Sequence, residues 1–336
     1  MKKLRLALVG YGSHGPQYPT YLADATTSEA IADIVALVDP DEQKREEGSH
    51  NLQLASSSCF SRMKDLFASN LAIDAVVVAT PAHQRQPVLE AIEAGKHVFC
   101  ENVLADTEEA ARAISEAARK TQEAIICVNE QWRFLPNIIA LKQLIPTQIG
   151  QLRCITIGGK GRHAIKEEIP RIGSHLLSIA VNTFGMTVLD GASVRFKDGA
   201  DIVATLRTKS DVPIVGKFLS DKYDVGRCYI LLEGDSGCAL AIGGLLEALY
   251  LRSVPYDSVA HSSTYPQKGW VRHEPEALNL IANTSEARSV AMSDPKMNPT
   301  FWLLREWVKA IEGTAQNPSP PEDYINVVRA MQLMMQ

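Results

Sequence analysis

The feature that most constrains the fold of this chain is a short apolar run that leads directly into a glycine-rich turn near the amino terminus. Leu4 to Val9 has the apolar character of a parallel strand that is buried on both faces. The six residues from Gly10 to Gly15 have the spacing G-x-G-x-x-G. In this pattern Gly10 permits a tight turn, Gly12 lets a pyrophosphate approach the backbone, and Gly15 lets the following helix pack on the strand. Because a predicted helix with unpaired N–H groups follows, the segment predicts a dinucleotide-binding turn.

An acidic residue follows the second predicted strand at a spacing typical of dinucleotide sites. Ile34 to Val38 is predicted to be a strand, and Asp39 lies 24 residues after Gly15, near the position at which a carboxylate binds ribose hydroxyls. This favours NAD, because a carboxylate would repel the 2′-phosphate of NADP. Arg45 lies nearby in sequence and keeps NADP as the less favoured alternative. The competing interpretation is that Asp39-Pro40-Asp41 is only a turn and a helix N-cap.

Alternating strands and helices continue to about residue 129 and predict a doubly wound parallel sheet. The predicted strands there include Asp74 to Ala79, Lys96 to Cys100 and Ala124 to Val128. Farther along, strand-length runs separated by turn signals predict a mostly antiparallel sheet. We therefore expect an α/β protein with a Rossmann domain at residues 1–129. A second α/β domain at residues 130–336 is expected to bind substrate and form oligomers, with loops and extended segments at 253–297.

Composition and charge exclude several classes of protein. The 336-residue chain has a net charge of -5, which gives no reason to expect nucleic acid or an anionic membrane as a partner. Its apolar runs are too short to span a bilayer, and the first residues lack a signal-peptide pattern. The six cysteines include no C-x-x-C pair and are typical of buried thiols in a reducing cytoplasm. Since no metal-binding motif occurs either, we expect a cytoplasmic protein without a metal.

Six segments of the sequence form a recognisable set: the glycine turn, Asp39 to Asp41, Asp74 to Pro81, Ala94 to Glu101, Trp132 to Phe134 and Ile172 to His175. Together they resemble the Gfo/Idh/MocA oxidoreductases, a family that includes glucose-fructose oxidoreductase and inositol dehydrogenase. The resemblance implies an NAD(P) cofactor and hydride transfer to or from a carbon of a sugar, polyol or related alcohol. It also implies that the carboxyl-terminal sheet forms a homodimer or homotetramer.

The resemblance carries over a set of cofactor-binding positions. Glu101 is implied to be an acid near the nicotinamide. Tyr11 and His83 are further candidates because one lies within the glycine turn and the other shortly after Thr80-Pro81. The complete set of cofactor candidates is Gly10, Tyr11, Gly12, Gly15, Asp39, Thr80, Pro81, His83 and Glu101.

The catalytic positions of the family pattern are changed in this chain. Asn102-Val103 follows Glu101 where the family has Lys-Pro, and an amide hydrogen-bonds an oxygen but cannot release a proton. In the later motif, Arg171 and Ser178 replace two aspartates, whereas His175 is retained. Imidazole exchanges a proton near neutral pH and suits a general acid or base. The catalytic candidates are therefore His175, Asn102 and Lys166, the last as a replacement for the charge of the lost lysine.

Basic residues near the retained histidine suggest an anionic substrate. The planar fork of Arg171 suits a carboxylate or a phosphate, and Arg162 lies in the preceding loop with Lys160, His163 and Lys166. The substrate candidates are Arg171, Arg162 and Trp132, and the hypothesis is a sugar acid, a phosphorylated or nucleotide-linked sugar, or another carboxylated metabolite. The alternative is a solvated surface loop that is partly neutralised by Glu167 and Glu168.

The unchanged cofactor side and the altered substrate side allow three functions. In the one that we favour, the protein transfers a hydride and His175 exchanges the proton. In the second, tightly bound NAD oxidises the substrate transiently to drive an elimination, an epimerisation or a hydrolysis. In the third, the protein has lost catalysis and serves as a regulatory protein that binds NAD or a sugar.

Overall fold

The computed structural model describes residues 3–23, 30–80, 85–121, 124–159, 169–196, 201–219, 228–243, 246, 248–253, 271–273 and 298–336. The chain divides into two compact units. The first comprises Met1–Gln131 and Asn283–Ile325, and the second comprises Trp132–Ala282 and Asn326–Gln336.

The first unit is built on a six-stranded parallel sheet, which confirms the predicted doubly wound architecture. Its strands are β1 (Leu4–Val9), β2 (Ala32–Val38), β3 (Cys59–Phe60), β4 (Ala75–Val78), β5 (His97–Cys100) and β6 (Ile126–Val128). Their order across the sheet is β3-β2-β1-β4-β5-β6, and every neighbouring pair is parallel. The order reverses between β1 and β4, and in such sheets ligands bind at this point, outside the carboxyl ends of the strands.

Helices connect these strands, and the first turns of two of them are capped by side chains. They are α1 (Tyr18–Leu22), α2 (Glu42–Asn51), α3 (Met63–Ala68), α4 (Arg85–Glu93) and α5 (Glu108–Lys120). Asp41 accepts hydrogen bonds from the amides of Gln43 and Lys44 and thereby caps α2. Thr107 accepts from the amide of Ala110 and caps α5. These side chains supply acceptors for N–H groups that have no partner within the helix.

The second unit is built on an eight-stranded, mostly antiparallel sheet, as predicted. Its strands are β7 (Leu152–Gly159), β8 (Val188–Phe196), β9 (Asp201–Thr208), β10 (Ile214–Phe218), β11 (Cys228–Gly234), β12 (Gly237–Gly243), β13 (Ala248–Ser253) and β14 (Val271–His273). The order is β14-β13-β12-β11-β7-β10-β9-β8, with β7 and β10 as the parallel pair. Side chains alternate between a buried and a half-exposed face, as Ile230 and Leu231 show on β11.

Helical segments of the second unit pack on the buried face of this sheet. They are α6 (Pro136–Leu144), which continues into a π-helical turn, and a segment at 169–183 whose α-helical centre is α7 (Ser174–Ser178). The last part of the chain also packs there. Gly216 on β10 lacks a side chain, and the Met334 methyl group lies within 2 Å of the position that its Cβ would occupy.

The carboxyl-terminal part of the chain first returns to the parallel sheet. It forms α8 (Pro299–Ile311) and then α9 (Pro321–Met335). Trp307 on α8 is completely buried, lies 5.5 Å from the Phe99 ring and donates a 3.1 Å hydrogen bond to the carbonyl of Ile125. The carbonyl of Ser319 accepts from the amide of Val128 at 2.9 Å. The domain boundary predicted at residue 129 assigned this carboxyl-terminal segment to the second domain, whereas Asn283–Ile325 belongs to the first unit.

Two general properties of the described chain bear on function. All six cysteines are free, and Cys100, Cys127 and Cys228 are buried. None of the helices in the described ranges has the length and apolar character needed to cross a membrane.

Candidate functional site

The glycine turn lies between the carboxyl ends of β1 and β4. Gly10 has a φ of 93°, in the left-handed region that glycine adopts readily. Its amide donates a 2.8 Å hydrogen bond to the carbonyl of Val38. A Cβ at this position would lie 2.9 Å from the carbonyl oxygen of Ala79. A larger residue would therefore push the turn away from the sheet.

The other two motif glycines differ in their surroundings. A Cβ on Gly15 would lie 2.4 Å from the carbonyl oxygen of Gly10, so the start of the helix packs directly on the turn. A Cβ on Gly12 would meet no atom of the described residues within 4 Å. Gly12 therefore faces open space, as a cradle for a pyrophosphate requires.

Asp39 lies at the carboxyl end of β2 and joins the glycine turn to the next loop. Only 5% of this residue is exposed. Its carboxylate accepts hydrogen bonds from the amides of Tyr11 at 2.7 Å and Asp41 at 2.9 Å. Since each carboxylate oxygen has a second lone pair, ribose hydroxyls can still donate to it. Arg45 donates from Nη1 to the carbonyls of Asp39 and Pro40, at 2.8 and 2.9 Å.

The Tyr11 side chain lies in the core, although its position within the glycine turn made it a candidate for contact with the cofactor. The residue is 3% exposed, and its ring packs against the backbone of Gly48 on α2. A Cβ on Gly48 would lie 3.1 Å from the Tyr11 ring. The ring is therefore directed toward α2 by packing, and Tyr11 contributes to the turn through its amide.

Thr80 follows β4 and faces the glycine turn. Its methyl carbon lies 3.1 Å from the position of a Cβ on Gly10. Among the described residues its buried hydroxyl has no hydrogen-bond partner, and a bound ligand could supply one. Pro81 and His83, two further cofactor candidates, lie outside the described residues.

Glu101 follows β5 and is held by two neutral side chains. It is 7% exposed and accepts hydrogen bonds from the Tyr18 hydroxyl at 2.7 Å and the Asn129 amide at 3.0 Å. Burial, and then the neighbouring carboxylate, raise the pKa of the Tyr18 phenol well above its ordinary value. Tyr18 therefore stays protonated and donates. Asn129 Oδ1 is buried and has no partner in the described chain.

Asn102 is held by a tyrosine from the carboxyl-terminal part of the chain. The Tyr324 hydroxyl donates a 2.6 Å hydrogen bond to Asn102 Oδ1. The peptide bond between Asn102 and Val103 is cis. The two polar residues at the end of β5 therefore each contact one tyrosine hydroxyl.

Three polar residues of this network were not identified from the sequence. Tyr324 is separated from Asn102 by 222 residues, and no local pattern links them. Tyr18 lies 83 residues from Glu101. Asn129 did offer a signal, since it is a polar residue directly after a predicted parallel strand, where ligand-binding residues collect.

In the second unit, the retained histidine stacks on a tryptophan. The Trp132 and His175 rings are 4.9 Å apart and inclined by 11°. His175 is half-buried, and Arg171 lies four residues earlier on the same helical segment with an exposed side chain. Ser178 is buried and accepts a 3.3 Å hydrogen bond from Asn182. Trp132 and His175 are therefore in contact, and Arg171 lies four residues from His175, while Lys166 and Arg162 lie outside the described residues.

No group of three or more metal-ligating side chains occurs in the described part of the chain. The polar groups of the first unit instead fit a dinucleotide. They combine an open glycine turn, a carboxylate at the end of β2 and a buried hydroxyl after β4.

Comparison with known sequences also assigns dinucleotide binding to the amino-terminal part of the chain. Residues 4–129 match the model of the Gfo/Idh/MocA oxidoreductase family, described as having an NAD-binding Rossmann fold. The inositol 2-dehydrogenase of Corynebacterium glutamicum (strain R) is 31% identical over 153 residues. That match covers 45% of this chain and 44% of the relative. The chain thus matches less than half the length of this relative.

Solved structures with the same fold extend over nearly the whole chain. A levoglucosan dehydrogenase in complex with NADH and L-sorbose has a TM-score of 0.76 and 14% identity, covering 100% of this chain and 96% of that one. The WlbA dehydrogenase of Bordetella pertussis, in complex with NADH and UDP-GlcNAcA, has a TM-score of 0.75 and 16% identity. The superposition covers 99% of this chain and 95% of the WlbA chain. At these identities the likeness shows the fold of both units.

Proposed function

We propose that this chain, whose residues 4–129 match the model of the Gfo/Idh/MocA oxidoreductase family, is an NAD-dependent oxidoreductase. Its substrate is a sugar, polyol or related metabolite that is oxidised or reduced at a hydroxyl carbon. The observation that carries the proposal is the open glycine turn at the point where the strand order reverses, with Asp39 beside it. Dinucleotides bind at this point in doubly wound sheets.

The proposed chemistry removes a hydride and a proton from the same carbinol group. Bound NAD⁺ supplies the acceptor for a hydride from the carbinol carbon. The hydroxyl of the same carbon releases a proton as the carbonyl forms. His175 is the residue proposed to take this proton, because imidazole titrates near neutral pH. The stack on Trp132 fixes the plane of its ring.

We propose further that the substrate is anionic. Arg171 lies one helical turn from His175 with an exposed side chain, and its guanidinium can bind a carboxylate or a phosphate bidentately. The WlbA dehydrogenase, which has the same fold, was solved with UDP-GlcNAcA. Both observations support an acidic or phosphorylated sugar, while the inositol 2-dehydrogenase relatives support a neutral polyol as the alternative.

The test of the function is the cofactor content of the purified full-length chain and its redox state after incubation with candidate sugars and polyols. Accumulation of NADH supports the dehydrogenase. Substrate turnover on bound NAD without net reduction supports the transient-oxidation mechanism instead. A chain that binds neither NAD nor NADP would refute both enzymatic functions and support a regulatory protein.

We propose that the half-exposed face of the second sheet binds a second copy of the chain. Leu231 and Leu240 are paired across β11 and β12 on this face, and Tyr250 on β13 lies beside Leu240. A sheet face in contact with water is usually polar, and extended apolar patches mark interaction surfaces. Light scattering should give the mass of a dimer or tetramer, and Leu240→Glu should lower it; a monomeric wild-type chain would contradict the proposal.

A further inference from the structure

Glu101 is a buried carboxylate that has only neutral hydrogen-bond partners. Its two oxygens accept from the Tyr18 hydroxyl and the Asn129 amide, and the following residue, Asn102, is also neutral. No described lysine or arginine forms a salt bridge with it. A buried charge without a counter-ion is costly. Such a charge therefore attracts any cation that binds nearby.

The position of Glu101 in the sheet indicates which part of the cofactor it faces. Asp39 lies at the carboxyl end of β2, and Glu101 lies at the carboxyl end of β5. The strand order places these two ends on opposite sides of the reversal between β1 and β4. A dinucleotide spans this point. If Asp39 binds the adenosine ribose, the nicotinamide half extends along the edge on which Glu101 lies.

We infer that Glu101 makes the protein prefer oxidised NAD⁺ over reduced NADH. The nicotinamide ring of NAD⁺ carries a positive charge, whereas the ring of NADH is neutral. A carboxylate of low exposure attracts the first and not the second, and the attraction is strong where water is largely excluded. This inference rests on the proposed binding of NAD.

Tyr18 is assigned as a positioning residue for this carboxylate. Its ring is fully buried and contacts Phe99 and Tyr21 edge-on, with centroid distances of 6.4 and 5.6 Å. These contacts fix the hydroxyl that donates to Glu101. The Tyr18→Phe substitution removes only the hydroxyl. It leaves the negative charge of Glu101 in place but removes one of the two hydrogen bonds that hold the carboxylate.

The experiment compares the affinities of the purified full chain for NADH, measured by its fluorescence, and for NAD⁺, measured by competition. The variants are Glu101→Gln, Tyr18→Phe and the control Asp74→Asn. Asp74 pairs with Arg5 at the amino edge of the same sheet, so Asp74→Asn removes an equal charge far from the carboxyl edge. Circular dichroism and urea unfolding establish that each variant is folded.

We expect Glu101→Gln to reduce the preference for NAD⁺ over NADH by about tenfold, or about 1.4 kcal/mol. Tyr18→Phe should reduce it by about threefold, and Asp74→Asn should leave it unchanged. A folded Glu101→Gln with the wild-type ratio, or one that loses both affinities equally, overturns the inference. If Glu101→Gln does not fold, Tyr18→Phe decides, and an unchanged ratio overturns it. A wild-type chain that binds neither form refutes the proposed function itself.

Discussion

The glycine turn yields a pair of substitutions that separate folding from cofactor binding. Gly12 and Gly15 lie three residues apart, and each can be changed to alanine, which adds a single methyl group. At Gly12 that methyl group would meet no described atom within 4 Å, and the backbone is outside the left-handed region. At Gly15 it would lie 2.4 Å from the carbonyl oxygen of Gly10. The two variants should therefore fail in different ways.

The distances determine the expected magnitudes. Carbon and oxygen atoms normally approach to about 3.3 Å, so Gly15→Ala requires the backbone to move by about 0.9 Å. Overpacking of this kind costs about 1–3 kcal/mol of unfolding free energy. Gly12→Ala should instead stabilise the fold by about 0.4–1 kcal/mol, because alanine restricts the unfolded chain. Its methyl group, however, projects into the space proposed for the pyrophosphate, which should weaken NAD binding by about tenfold or more.

Urea unfolding and NAD titration on the same samples measure both effects. The expected result for Gly12→Ala is an unchanged or higher urea midpoint together with weakened NAD binding. Gly15→Ala should lower the midpoint clearly. If Gly12→Ala binds NAD as tightly as the wild type does, the pyrophosphate does not approach the chain at this glycine. If Gly15→Ala is as stable as the wild type, the packing of the turn on the helix is not tight.

Three further predictions concern single side chains. His175→Asn should reduce turnover by about 10²–10⁴-fold with NAD affinity unchanged in a titration; retained turnover would exclude His175 as the proton-transfer group. Arg171→Ala should weaken the binding of an acidic sugar by about tenfold or more and leave its neutral counterpart unaffected, and equal losses would refute the anionic substrate. Burial lowers the pKa of His97, whose Nδ1 accepts from the Ile125 amide at 3.1 Å. Urea midpoints should therefore fall as the pH drops below about 6.5, and the same fall in His97→Asn would contradict this assignment.

The parallel sheet was predictable because its strands are buried on both faces. Ala75–Val78 is a continuous apolar run, and all four residues are buried. Cys59–Phe60 has only two residues and shows no periodicity. Val271–His273 is a strand because it pairs with β13, although Val271 is 68% exposed. Such pairing depends on the register with a segment that is distant in sequence, so local composition does not predict it.

In the candidate site, too, features set by neighbouring residues were predictable, whereas features set by contacts between distant residues were not. The spacing of Gly10, Gly12 and Gly15 was enough to predict a glycine turn after the first strand, because the three glycines lie within six consecutive residues. The direction of the Tyr11 side chain could not be predicted, since it depends on the bare backbone of Gly48 on α2. The stack of Trp132 on His175 likewise joins residues that were identified separately and whose contact only the fold creates.

The end of β5 also bears on whether the altered catalytic positions represent decay. Loss of a lysine from a buried site would ordinarily leave a carboxylate without partners, at a substantial cost. Here both oxygens of Glu101 are hydrogen-bonded, and Asn102 Oδ1 accepts from Tyr324. The unsatisfied Thr80 hydroxyl and Asn129 Oδ1 also follow strands at the carboxyl edge, where a cofactor can reach them. An ordered network with orphaned groups along a binding edge favours a rebuilt cofactor site over a decayed one.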